Sequence, residues 1–204
     1  MKNVKIYLIV LLFFPVIASA QYNPITIGIK GGVNISNFGG ESLKDTDGKI
    51  GFTGGVLLDY NVDEVFFIRT GLDFTTKGAK QTKAGIEHTY NPMYLQIPIH
   101  AGYKMPFTRS FRCLLHAGPY FAYGVGGKTK SNVSGTDETS TDFFGSEENG
   151  GHKKIDFGLG LAVGIEYGKI GIELGYDLGL VNISHKKDEK IKNMNAFLTL
   201  GYKF

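Results

Sequence analysis

The sequence predicts an all-β chain, an eight-stranded antiparallel up-and-down transmembrane β-barrel, and three observations carry that prediction. Eight successive segments alternate, with uncharged and mostly large apolar residues on one face and Gly, hydroxyl or charged residues on the other. The apolar set contains no Asp, Glu, Lys or Arg in any segment. The connections alternate between tight and long, the asymmetry of barrels with short turns on one side of a membrane and longer loops on the other.

The first strand, 25–36, points Ile25, Ile27, Ile29, Val33 and Ile35 one way and Thr26, Gly28, Lys30, Gly32, Asn34 and Ser36 the other. The second, 50–60, has Ile50, Phe52, Val56, Leu58 and Tyr60 outside and Thr53 and Asp59 inside. In the third, 65–76, Phe66, Ile68, Leu72 and Phe74 oppose Arg69, Asp73 and Thr75. In the fourth, 93–104, Leu95, Ile97, Ile99 and Tyr103 oppose Gln96, His100 and Lys104. Strands over 111–125, 155–167, 170–181 and 194–204 complete the eight. Tight connections are expected at 61–64, 105–110 and 168–169, and long loops at 37–49, 77–92, 126–154 and 182–193. Pro98 and Pro119 lie inside two strands, and because proline has no N–H to donate, a bulge or local break is expected at each.

A soluble eight-stranded barrel would reverse this polarity, with apolar residues inside and charges outside. A Lys or Arg at the bilayer midplane costs about 2 to 4 kcal/mol, so an outward set without charges is what lipid selects. Tyr60, Phe66, Tyr103, Phe111, Tyr167, Tyr202 and Phe204 fall near strand ends, where an interfacial aromatic girdle is expected.

Residues 1–20 read as a Sec signal peptide, with Lys2 and Lys5 before an apolar stretch and Ala18-Ser19-Ala20 as the cleavage site. The barrel domain is then 21–204, placed in the cell outer membrane with both termini on the periplasmic side. Removing Lys2 and Lys5 from the 22 Lys and Arg leaves 20 against 19 acids, a mature formal charge of +1 that gives no support to nucleic-acid binding. Cys113 is the only cysteine, which excludes an internal disulfide framework.

Several segments resemble the PorT-type outer-membrane β-barrel family: Gly28-Ile29-Lys30-Gly31-Gly32-Val33-Asn34-Ile35-Ser36, Tyr94-Leu95-Gln96-Ile97-Pro98-Ile99, Ala117-Gly118-Pro119-Tyr120, Asp156-Phe157-Gly158, Gly175-Tyr176-Asp177-Leu178-Gly179-Leu180 and Gly201-Tyr202-Lys203-Phe204. The resemblance implies an outer-membrane barrel and, for PorT itself, a part in protein secretion to the cell surface. It brings no catalytic or ligand residues.

An eight-stranded barrel is just wide enough for side chains to fill it. The inner set carries five cations, Lys30, Arg69, Lys104, Arg112 and Lys203, against six carboxylates, Asp59, Asp73, Asp156, Glu166, Glu173 and Asp177. Near the periplasmic mouth fall Asp59, Arg69, Lys104, Arg112, Glu166, Glu173 and Lys203, expected to form a salt-bridge belt through Asp59 with Arg69, Arg112 with Glu166, and Glu173 with Lys203. A selective ion pore would carry one dominant sign. His100 and His116 face inward without a third metal ligand in view, and Ser184-His185 sits in a charged loop, so neither a metal site nor a catalytic set is expected. Gly158, Gly160 and Gly164 precede no helix and make room in the lumen rather than cradling a phosphate.

Two features point to partners. Tyr202 and Phe204 on the last strand resemble the signal read by the barrel-assembly machinery. Phe143 and Phe144, in the middle of the 126–154 loop, are either a contact for a surface or secretion partner or a pair that folds back onto the rim. The chain thus reads as a monomeric, non-catalytic outer-membrane barrel without cofactor: envelope structure, a docking or secretion-associated component, or at most a narrow conduit. The alternative is an integral outer-membrane enzyme such as a lipid A-modifying barrel.

Overall fold

The computed structural model describes residues 24–40, 46–83, 86–133, 139–146, 151–185 and 190–204, so the signal-peptide reading of 1–20 lies outside the described residues. Ten strands form one antiparallel sheet: β1 (Ile25–Gly39), β2 (Thr46–Asn61), β3 (Phe66–Thr76), β4 (Ala79–Lys83), β5 (Ile86–Pro106), β6 (Phe111–Val133), β7 (Thr139–Asp142), β8 (Ile155–Tyr167), β9 (Ile170–Gly179) and β10 (Lys192–Lys203). Eight of them close a ring in the order β1-β2-β3-β5-β6-β8-β9-β10, and the β1–β10 ladder from Gly28↔Lys203 to Gly39↔Lys192 seals it. The eight-stranded transmembrane barrel expected from the alternation is the fold observed.

Alternation becomes geometry most clearly in β8, where exposed and buried residues strictly alternate over all 13 positions. Ile27, Val33, Phe52, Leu72, Ile99, Leu161, Leu174 and Leu200 stand on the outer surface, while Asp59, Arg69, Asp156, Glu166, Glu173 and Asp177 are buried inside. Because a register slip of one residue would exchange these sets, the polarity itself specifies the pairing. A Leu174→Arg variant is therefore expected to lose about 2 to 4 kcal/mol of folding stability in lipid vesicles, read from urea unfolding.

The short-turn end is built from local hydrogen bonds. Between β2 and β3 the Asp63 carboxylate accepts from the N–H of Phe66 at 2.6 Å and of Val65 at 2.7 Å, which holds its pKa below the usual carboxylate range. Thr108 Oγ1 accepts from the Phe111 N–H at 3.0 Å where β6 begins. Gly168, at φ +59°, makes the two-residue turn between β8 and β9 in the left-handed region that other residues rarely adopt. On the outer surface near this end Phe66 packs against Tyr103 at 5.2 Å and Tyr202 against Phe204 at 5.6 Å between ring centroids.

At the long-loop end the structure departs from the sequence expectation. The supposed loop 77–92 contains β4 and the start of β5, and 126–154 contains the last eight residues of β6 and all of β7. The β5–β6 ladder runs on to Ile86↔Val133, with β4 pairing to β2 and β5, and β7 to β6. Backbone pairing continues there, but both faces of the sheet leave the apolar belt, so the apolar/polar alternation that reveals a strand is gone.

The two prolines break the ladder locally and leave the register intact. Pairing of β3 with β5 stops after Thr70↔Ile99 and resumes at Asp73↔Gln96, and pairing of β5 with β6 stops at Pro98↔Tyr120 and resumes at Ala101↔Ala117. The one register shift on the β5–β6 ladder lies at Met93/Tyr94.

Candidate functional site: the filled lumen

The interior is stacked in layers along the barrel axis. At the short-turn end Asp59 on β2 and Arg69 on β3 are direct register partners. Arg69 Nε donates to Asp59 Oδ1 at 2.6 Å and Nη2 to Oδ2 at 2.9 Å, a bidentate pair with both side chains excluded from solvent. Its third nitrogen crosses the lumen, donating to Glu173 and lying 3.1 Å from His116 Nε2. Lys203 Nζ bridges Asp59 Oδ2 at 3.0 Å and Glu166, and Arg112 reaches Glu166 at 3.4 Å. The Phe67 ring packs beside them, 5.2 Å from Arg69 Cζ and 4.9 Å from Lys104 Nζ.

The expected belt is revised at one pairing and at one member. Glu173 does not pair with Lys203, because the β9–β10 register sets Glu173 opposite Thr199. Lys203 is four residues farther along, roughly 13 Å down the strand. Lys104 makes no ion pair among the described residues and instead donates to Asn61 Oδ1.

The middle layer is mostly neutral and amide-rich. Lys30 Nζ lies 2.9 Å from Asp73 Oδ2. Gln96 Nε2 and Asn195 Nδ2 donate to Asp177 Oδ2 at 3.0 and 3.4 Å, and Asn34 Nδ2 donates to Asn195 Oδ1 at 2.5 Å and to the Thr76 carbonyl at 2.8 Å. His100 and His116 meet through their Nδ1 atoms at 2.9 Å. A cavity of about 20 Å³ lies among these groups, room for about one water.

The upper layer centres on a residue that sequence reasoning placed in a loop. Lys77, completely buried, points its ammonium at Asp156 Oδ2 at 3.2 Å and lies 4.5 Å from the Tyr120 ring and 5.3 Å from the Tyr94 ring. Asp156 also accepts from Tyr120 Oη at 3.2 Å and Asn193 Nδ2 at 2.9 Å. With Lys77 counted, the lumen holds six cations against the six carboxylates. The sequence carried a clue in its imbalance of five against six, since a buried uncompensated carboxylate is expensive.

Above Lys77 sits an apolar cap. Phe38, Ala79, Phe143, Ile183 and Ile191 are buried together, with Tyr90 and Phe144 packed against them. Phe143 stacks on the His152 ring at 4.3 Å, and Phe144 meets Tyr94 edge-on at 5.4 Å. Phe143 is thus not a free contact for a partner: it has folded back onto the rim, where its ring is buried against apolar neighbours rather than left in water. Phe143→Ala is expected to cost about 3 to 5 kcal/mol by opening a cavity in this cap, and to speed protease cleavage within 126–154 on intact cells.

Among the described residues no group of three or more His, Cys, Asp or Glu is arranged to hold a metal. Ser184 is buried at the rim, bridged through its backbone to His152. Gly158 faces the Tyr120 ring, which leaves no space there for a side chain.

Residues 19–185 match the family described as outer membrane protein beta-barrel domain. The chain belongs to this family. Its place is the outer membrane. Among solved structures it is similar to OprG from Pseudomonas aeruginosa, at 13% identity and TM-score 0.50 over 90% of this chain and 98% of that one. It is also similar to Ail, the attachment invasion locus protein of Yersinia pestis, solved with the heparin analogue sucrose octasulfate, at 14% identity and TM-score 0.46 over 89% of this chain and 100% of that one. Neisserial surface protein A matches at 14% identity and TM-score 0.46 over 89% and 98%. The likeness to OprG speaks to fold alone. No curated protein matches the chain.

Proposed function

We propose that this family member is a closed, monomeric, non-catalytic barrel that serves the envelope as a docking platform, with the secretion-associated role of PorT as its nearest functional analogue. The observation that carries this reading is the continuous filling of the lumen, from the Arg69 network through the Asp177 layer to Lys77 and the Phe143 cap. A barrel filled in this way offers solutes no path, which leaves its outer rim as the working surface. The extension built from β4, the upper parts of β5 and β6, and β7 supplies that surface, and β7 is exposed along its four residues. Biogenesis on this reading begins with the barrel-assembly machinery engaging Tyr202 and Phe204, both exposed at the end of β10.

Planar-bilayer recording tests the closed lumen. The purified barrel is expected to show no steady channel steps, and a stable unitary conductance from the intact protein would overturn the reading. Crosslinking on intact cells with a photoreactive residue at Thr141 is expected to capture a surface or secretion protein, and a clean negative across Thr139 to Asp142 would remove the docking role.

A further inference from the structure

The middle of the lumen holds a carboxylate whose charge nothing nearby answers. Asp177 is buried and has no ion pair among the described residues; Gln96 and Asn195 donate to its Oδ2 as neutral amides. Lys104, the one lumen cation without an ion pair among the described residues, lies eight residues below Gln96 on β5, roughly 26 Å along the strand. In the layer itself Lys30 already answers Asp73, which leaves a net charge of −1.

A second observation is independent of that charge count. Asp73 Oδ1, Thr75 Oγ1, Gln96 Oε1 and His100 Nε2 are buried without a hydrogen-bond partner, and all four residues line the same cavity of about 20 Å³ as Asp177. Each of the four is at least nine-tenths buried. Two of these atoms, Asp73 Oδ1 and Gln96 Oε1, can only accept and the Thr75 hydroxyl can also do so, so the cavity has an unmet need for a donor or a cation. Of the eight such atoms among the described residues, four belong to residues lining this one cavity, where each orphaned group carries an uncompensated desolvation cost.

We propose that this cavity binds one small monovalent cation, of the size of Na⁺, between Asp177 and Asp73 with Gln96 Oε1 and Thr75 Oγ1 as neutral oxygen ligands. Oxygen donors suit a hard ion, and a single deficit of charge suits a monovalent ion over a divalent one. Room for about one water excludes cations larger than a water molecule, such as Cs⁺. The ion completes the charge balance of the central layer as Lys77 does for the layer above it.

The test compares the full-length mature barrel refolded in detergent in NaCl, CsCl or N-methyl-D-glucamine chloride at equal ionic strength, with the heat-modifiable gel shift as readout. Saturating Na⁺ is expected to raise the melting midpoint by about 5 °C over N-methyl-D-glucamine, with Cs⁺ giving little of that rise. Asp177→Asn is expected to abolish the increment, while Asp142→Asn on exposed β7 keeps it. Should Asp177→Asn fail to fold, Thr75→Val carries the test: it is expected to weaken the apparent Na⁺ affinity about tenfold, the effect of losing about 1.4 kcal/mol. Equal midpoints in all three salts would overturn the proposal in favour of a water-filled cavity. A salt-independent midpoint that falls as pH rises through the histidine range would overturn it in favour of a protonated His100 as the compensating charge.

Discussion

Arg69→Ala is expected to produce the largest loss of stability of any single lumen substitution, about 3 to 5 kcal/mol, because it leaves two carboxylates and a histidine buried without their common partner. The guanidinium spends its donors on Asp59, Glu173 and His116, and among the described residues no Lys or other Arg reaches Glu173 within ion-pair distance, the His116 imidazole lying 3.6 Å away. Lys203 would still hold Asp59 at 3.0 Å, so Glu173 bears most of the cost. Arg69→Lys keeps the charge but cannot span Asp59 and Glu173 with a planar fork, and it is expected to recover only part of the loss. Urea unfolding in lipid vesicles and the heat-modifiable shift measure both. If Arg69→Ala instead kept its heat resistance and conducted strongly, the network would be a gate and the closed-platform reading would fail.

Lys77→Met is the second large effect, again about 3 to 5 kcal/mol. Both side chains of the Lys77–Asp156 pair are wholly excluded from solvent, so the methionine variant strands Asp156 beside Tyr120 and Asn193. The loss includes the contact of the ammonium with the Tyr120 and Tyr94 rings. Pairing Lys77→Met with Asp156→Asn removes the stranded charge and is expected to restore most of the stability, a coupling that a double-mutant cycle on urea midpoints reads directly. Additive losses in the double variant would mean that the two groups do not depend on each other.

These two sites differ in how far the sequence revealed them. Asp59 and Arg69 were legible because both sit in strands whose outer residues, such as Leu58, Tyr60, Ile68 and Leu72, announce their parity. Lys77 was hidden because alternation fails where β3 ends: Thr75, Thr76 and Lys77 are buried in succession, so no period-two rule assigns the lysine a face. The mistaken Glu173–Lys203 pairing has a different cause. Sequence position along each strand ignores the shear that offsets neighbouring strands in a tilted barrel, and only the register Glu173↔Thr199 fixes who meets whom. The upper strands escaped notice because both sides of the sheet there lie outside the apolar belt. Two adjacent phenylalanines in an otherwise polar loop carried either meaning, and the buried position of Phe143 decides for the inward one.

The account rests on inverted polarity, with lipid outside the sheet and paired ions within it, and fluorescence quenching tests that most directly. Single cysteines at Leu161, Val163, Leu174 and Leu198, in a Cys113→Ala background and labelled with a small fluorophore, report what surrounds the outer face of β8, β9 and β10. In vesicles, nitroxide-bearing lipids are expected to quench all four labels and aqueous iodide none. Quenching of these labels by iodide with no response to the lipid-borne nitroxide would place the apolar face in water and contradict the barrel as described.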